Sequence, residues 1–311
     1  MKREDLLKRK VEEMDLEGIS VSELVNQMNA AGGFSAKNLA HAVEILREMQ
    51  SADKRFLSFP ACIVATGLRG AIAQAIEKGL FDVIVTTCGT LDHDLARTWG
   101  GNYYHGSFSL NDDEMHQLDL YRLGNITIPT ENYGKLLEER MQPILKELAA
   151  KKQEWGAREL IHEFGLRLND KKSILYQAAR KNIPIYVPGI VDGSFGTNLL
   201  WFRQENKLKV DVLKDQKELS DIAFNSKNTG ALMIGGGISK HHTIWWNAFK
   251  GGLDYAVYIT TATQYDGSLS GARLSEAVSW GKVKEKAKYV TVDGDATIIL
   301  PLILASLYQK S

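Results

Sequence analysis

From residue 56 onward, short β-branched or apolar runs alternate with helical stretches, and this alternation constrains the fold more than any other feature. Runs at 56–59 and 82–87 are followed by helical patterns at 68–78 and 91–98. A mostly helical, Lys- and Glu-rich middle spans 131–182. Strand-like runs then resume at 185–190, 232–234, 255–260 and 289–292, with helical candidates between them. The pattern predicts an α/β fold: a doubly wound, mostly parallel sheet with helices on both faces. Upstream, apolar residues recur at helical spacing over 21–28 and 36–49, with Ser35 expected as N-cap and 30–34 as a breaker. No repeat or Pro/Ser linker divides the 311 residues. One domain is expected over 1–311, with 1–55 a helical N-terminal segment and 131–182 a helical excursion.

Composition narrows the class. Apolar residues make up 44% and charged residues 24%, and Lys plus Arg equals Asp plus Glu at 38 each. A neutral chain of this kind is not built to track nucleic-acid phosphates or to be steered to a membrane. Residues 1–16 are charged throughout and lack a signal-peptide core. The apolar run 296–307 is too short to span a bilayer and contains Pro301. A soluble cytoplasmic protein is expected. Cys62 and Cys88 lack metal-ligand spacing and are expected to be a buried pair of free thiols.

Each expected strand runs into small or acidic residues. These are 86–90 with Thr87, Cys88 and Gly89, 191–194 with Asp192, 235–237 with Gly236, 260–262 with Thr261 and Ala262, and 293–296 with Asp295 and Ala296. Any one of them alone is an ordinary turn. In an open parallel sheet, however, the carboxyl ends of the strands form the ligand crevice. Glycines there let the backbone approach a pyrophosphate, and helix N-termini add donors. A dinucleotide site is the reading, although the G-x-G-x-x-G of a standard dehydrogenase is absent.

The segment 276–282 places Glu276, Trp280 and Lys282 within seven residues. Glu276 and Trp280 share a helix face, and Gly281 stops the helix before Lys282. On its own this is an ordinary surface lysine after an amphipathic helix. Beside a cofactor and an aromatic wall, burial would favour the uncharged amine that Schiff-base chemistry needs. His241 and His242 follow the triple glycine. Adjacent histidines on a helix point about 100° apart and do not chelate one ion, so no metal is expected and one histidine suits proton transfer.

The stretches 254–259, 266–268, 270–273 and 276–282 resemble the C-terminal signature of deoxyhypusine synthases. Supporting matches include Gly33-Phe34, Asp192-Gly193-Ser194, Gly235-Gly236-Gly237 and Lys240-His241-His242, so the resemblance covers roughly 20–308. It implies NAD-dependent transfer of the aminobutyl group of spermidine to one lysine of the translation initiation factor 5A precursor. Lys282 would hold the four-carbon fragment as an imine, with His241 as acid/base. Glu276, Trp280, Asp92, His93, Gly267 and Ser268 would contact the amine. NAD would be contacted by Thr87, Cys88, Gly89, Asp192, Gly236, Thr261, Ala262, Asp266, Ser270, Asp295 and Ala296. A homotetramer is implied.

The chain departs from the family pattern at His93, Thr197 and Leu269, where acidic residues are expected, and at Trp245 and Cys62, where asparagines are usual. A buried ammonium without its carboxylate costs several kcal/mol, so an altered amine range is expected. Three alternatives stay open: a homospermidine synthase-like transfer to putrescine or another small amine, a non-catalytic NAD-binding relative, and an NAD-consuming deacylase.

Overall fold

In the computed structural model, which describes Arg3 and residues 7–309, six strands lie side by side. They are β1 (Lys54–Ser58), β2 (Val83–Val85), β3 (Ile185–Tyr186), β4 (Thr229–Ile234), β5 (Leu253–Thr260) and β6 (Val283–Asp293). Their order is β6-β5-β4-β1-β2-β3, and every pairing is parallel. This is the doubly wound arrangement expected above, with the winding reversing between β1 and β4.

Alternation along the strands explains why both faces are covered. Leu57, Ile84, Leu232, Ile234, Val257 and Ile259 enter one core. Their neighbours Phe56, Val83, Val85, Ala231, Met233, Ala256 and Tyr258 enter the other. With side chains pointing alternately up and down, a strand buried on both sides reads as a continuous apolar run. The helices Phe34–Met49 and Ala296–Tyr308 pack into the first core, and the helices Gly237–Ala248 and Leu274–Ser279 into the second.

Several boundaries differ from expectation. The second N-terminal helix begins at Phe34 with Gly33, in extended conformation, as its N-cap, so Ser35 lies inside the first turn. The strand expected over 185–190 stops at Tyr186, because Pro188 removes a ladder donor. β6 starts at Val283, ahead of the expected 289, because its alternating lysines mark an edge strand whose outer side is solvated. A three-stranded antiparallel sheet (Tyr104–His105, Leu120–Leu123, Ile126–Pro129) and a parallel pair (Glu154–Gly156, Lys209–Asp211) were not anticipated. The middle region does carry helices, at Gly134–Lys151, Ala157–Leu166 and Ile174–Arg180. In the N-terminal segment, Met1, Lys2, Glu4, Asp5 and Leu6 lie outside the described residues. Among the described residues no helix is long and apolar enough to cross a membrane.

The helix Cys88–Thr98 organises the sheet's edge through two carboxylates. Asp94, fully buried, accepts from Ser173 Oγ (2.7 Å) and Leu175 N (2.8 Å) at the start of the helix Ile174–Arg180. It also pairs with buried Arg69 at 2.6 Å. A carboxylate on a helix N-terminus complements the exposed N–H groups and the helix dipole.

Candidate active site

Two recesses open along the carboxyl edge of the sheet. The first, about 540 Å³, spans the ends of β4, β5 and β6 and the segment after β1. Thr87, Gly236, Thr261, Ala262, Ser270, Asp295 and Ala296 line it, together with Gly235, Gly237 and Gly294. Its floor is mostly backbone and small side chains. Gly235 and Gly237 have φ of 62° and 67°, a region that glycine enters without strain. A Cβ on Gly236 would stand 2.2 Å from Ser270 Oγ, so the loop can close only over glycine. Asp295 caps the helix Ala296–Tyr308, its carboxylate accepting from Thr297 N at 2.7 Å.

Four residues assigned to this recess lie off its lining. Cys88 is buried and donates to Ile190 O at 3.1 Å, with burial pushing its thiol up to about 12. Gly89 packs against the segment after β1, where a Cβ would meet Ala61 Cβ at 2.9 Å. Asp192 is exposed on the loop after β3. Asp266, also exposed, accepts from Ser268 N and Ser268 Oγ, both at 2.8 Å, and these bonds hold its carboxyl below the usual range. Gly267 (φ 69°) and Ser268, expected to contact the amine, complete that exposed turn and line neither recess. Cys62 is exposed and lines the first recess, so the expected buried pair of thiols is corrected: only Cys88 is buried.

The second recess, about 220 Å³, is lined by Lys240, His241, Leu269, Arg273, Glu276, Trp280 and Lys282 among others. Glu276 lies on the short helix Leu274–Ser279, Trp280 is its C-cap, and Gly281 (φ 63°) turns the chain so that Lys282 stands immediately before β6. Lys282 Nζ stands 5.2 Å from the Trp280 ring and 5.9 Å from the Trp245 ring. His241 stacks on Trp245, with centroids 5.7 Å apart. Burial first, and the Lys282 charge second, hold the His241 imidazole below its usual value. His242 turns the other way and accepts from Trp246 Nε1 at 3.2 Å, so the two histidines do not converge. One expectation fails here. The aromatic wall is present but open, because Trp280 follows a short surface helix and is 69% exposed, and Lys282 is half-buried.

Asp92 and His93 are not in this recess. Asp92 is 1% exposed and accepts from Ser194 N (2.9 Å), Phe195 N (2.7 Å) and Tyr133 Oη (3.1 Å). It receives the start of the helix Ser194–Glu205 just as Asp94 receives Ile174–Arg180, so its oxygens are already engaged. Desolvation raises its carboxyl to about 6. His93 bonds Tyr103 Oη through Nδ1 at 2.8 Å, and burial lowers its imidazole to about 4. Thr197 Oγ1 donates to Gly193 O, and Leu269 faces the recess.

The sequence reading gave no role to Lys240, which is 1% exposed. Its signal was present: Lys240, Thr243, Ile244 and Asn247 form the buried stripe of their helix at spacings of three and four.

The deoxyhypusine synthase family model matches residues 23–307. "Probable deoxyhypusine synthase" of Thermoplasma acidophilum is 53% identical over 98% of this chain and 99% of its own length. The protein of the same name from Sulfolobus acidocaldarius is also 53% identical, over 99% and 100%. A solved Entamoeba histolytica structure named for deoxyhypusine synthase aligns with a TM-score of 0.66 at 24% identity, covering 96% of each chain. A full-length match at this identity, over a sheet of this order and a recess ending at Lys282, places the chain in the deoxyhypusine synthase family.

Proposed function

We propose that this protein transfers the aminobutyl group of spermidine to a lysine of the translation initiation factor 5A precursor, with NAD in the first recess and Lys282 as covalent carrier. One observation carries the reading: Lys282 Nζ, the Trp280 ring, His241 and Glu276 line one recess, with the Trp245 ring stacked on His241, and the Leu269–Ala272 wall of that recess is shared with the larger cavity.

The larger recess suits NAD. Glycines 235–237 let a pyrophosphate approach the backbone, the Ala296–Tyr308 N-terminus adds donors, and the hydroxyls of Thr87 and Thr261 suit ribose. When bound, NAD supplies the acceptor and later the donor of a hydride. The chain's own residues do the rest. Trp280 and Trp245 flank the methylenes, and Glu276 pairs with an ammonium end. Neutral Lys282 adds to the oxidised carbon of the amine while neutral His241 accepts the proton that this addition releases, and the C–N bond to 1,3-diaminopropane breaks as His241 returns that proton to the leaving amine. The Lys282 imine then passes its four-carbon fragment to the acceptor lysine, and the Lys282 amine is restored. A homotetramer in the cytoplasm belongs to the same reading.

The test is one incubation with NAD, spermidine and the factor precursor, followed by mass spectrometry and with Lys282→Ala as control. An aminobutyl gain on the factor is expected. An unmodified factor alongside homospermidine made from added putrescine would instead favour transfer to a small amine. Parallel assays with putrescine, homospermidine and agmatine as donors measure the amine range that the missing carboxylates imply.

A further inference from the structure

The partition between the two recesses is the 268–272 loop. Ser270 lines the larger cavity, and Leu269 and Ala272 line the Lys282 recess. The side chains that tether this loop's carbonyls to the sheet and its covering helix are all buried. Tyr258 Oη donates to Ser270 O at 2.6 Å, and Thr260 Oγ1 donates to the same oxygen at 3.0 Å. The remaining tether is Lys240, whose Nζ donates to Leu269 O at 2.9 Å and Ala272 O at 2.7 Å. The same ammonium lies 3.6 Å from the centroid of the Tyr258 ring.

A lysine is a costly occupant for such a place. Burial pushes its ammonium down to about 7, against the opposing charge of Glu276. Its hydrogen-bond partners are two main-chain oxygens and no carboxylate. An apolar side chain would fill the volume without the desolvation cost, so what lysine adds is a forked pair of donors under the loop.

We propose that Lys240 is a positioning residue that fixes the 268–272 partition, so that the wall seen by the cofactor and the wall seen by the amine are set together. It acts through Ser270 on one side and through Leu269 and Ala272 on the other. The proposal rests on assigning the larger cavity to NAD and the smaller to the amine. With the partition held, each occupant meets a preformed surface. With it released, each must order the loop on binding and binds more weakly.

Hydrogen exchange over 266–273 tests this in wild type, Lys240→Met, Lys240→Arg and Tyr258→Phe, with NAD and spermidine affinities measured on the same samples. In Lys240→Met, loop protection should fall at least about tenfold while β4 and β5 keep theirs, the size expected for losing two buried hydrogen bonds. Both dissociation constants should rise together by a similar factor, with kcat at saturation changing less. Lys240→Arg should recover part of the loss, and Tyr258→Phe should reproduce the pattern more weakly. Unchanged loop protection in folded Lys240→Met, or weakening for one ligand only, overturns the proposal. If Lys240→Met does not fold, unchanged exchange in both Lys240→Arg and Tyr258→Phe overturns it. Wild-type protein that binds neither NAD nor spermidine would sink the assignment of the cavities, while the exchange result still decides whether Lys240 holds the loop.

Discussion

The two recesses share a wall but are built on different principles. The larger is made from strand ends, glycines and short side chains, so the sheet itself determines its shape. The smaller is made from long side chains on two helices and on the turn that leads into the edge strand, and its tryptophan wall faces solvent. It also gathers Lys240, Arg273 and Lys282 around a single carboxylate, Glu276. One site is therefore written in the backbone and the other in side-chain chemistry. Substitutions should act on the first through shape and on the second through reactivity.

The largest effect should come from Lys282→Ala. Loss of a covalent carrier is expected to lower turnover by at least about 10⁴-fold, and borohydride should no longer trap spermidine-derived label on the protein. Retained trapping would place the carrier elsewhere. His241→Ala should cost about 10²-fold in kcat, the usual share of a proton-transferring group. Because His241 is held below its usual value, its neutral, proton-accepting form persists below the ordinary histidine range. The acid limb of the wild-type rate profile should then lie below about pH 6.5 and should vanish in the variant. Gly236→Ala tests shape alone. A Cβ 2.2 Å from Ser270 must displace the loop, so NAD affinity should fall about tenfold or more, with Lys282 still present to react. Calorimetry with NAD separates this from a loss of reactivity.

The same contrast governs what could be read from the sequence. The central strands were legible because a strand buried on both faces reads as a nearly continuous apolar run, as at 232–234 and 255–260. The loops of the larger recess followed, since parallel strands put all their carboxyl ends at one edge. The 104–129 sheet was not legible, because its short strands carry half-exposed residues with no clear alternation. In the smaller recess, residue types were visible but exposure was not. Trp280 reads as a wall whether or not anything covers it. Asp92 reads as an available carboxylate because the helix it receives lies about a hundred residues downstream in the chain. For Lys240 the helix stripe signalled burial but not partners, because these are main-chain oxygens, which leave no trace in residue identity.

Asp92 gives the smallest effect and the sharpest separation of architecture from recognition. Its two oxygens accept from successive N–H groups at the start of Ser194–Glu205. Asn at this position keeps one acceptor and turns an amide toward the other donor. At pH 7, Asp92→Asn should therefore destabilise the fold by about 0.5–2 kcal/mol, the range of a lost helix cap, which urea unfolding can resolve. An amine-recognition role would instead raise KM for spermidine and leave stability unchanged. The pH dependence adds an independent sign. Desolvation holds the folded carboxyl at about 6, above the usual aspartate value. The folded state then binds more protons than the unfolded state between those two values, so this group's contribution to stability falls as pH rises from about 4 to 6. The asparagine variant cannot titrate, so the difference in stability between wild type and variant should be largest at the acid end of that window. A difference that is flat with pH would mean that Asp92 stays ionised throughout, held by the two backbone donors more firmly than burial opposes it.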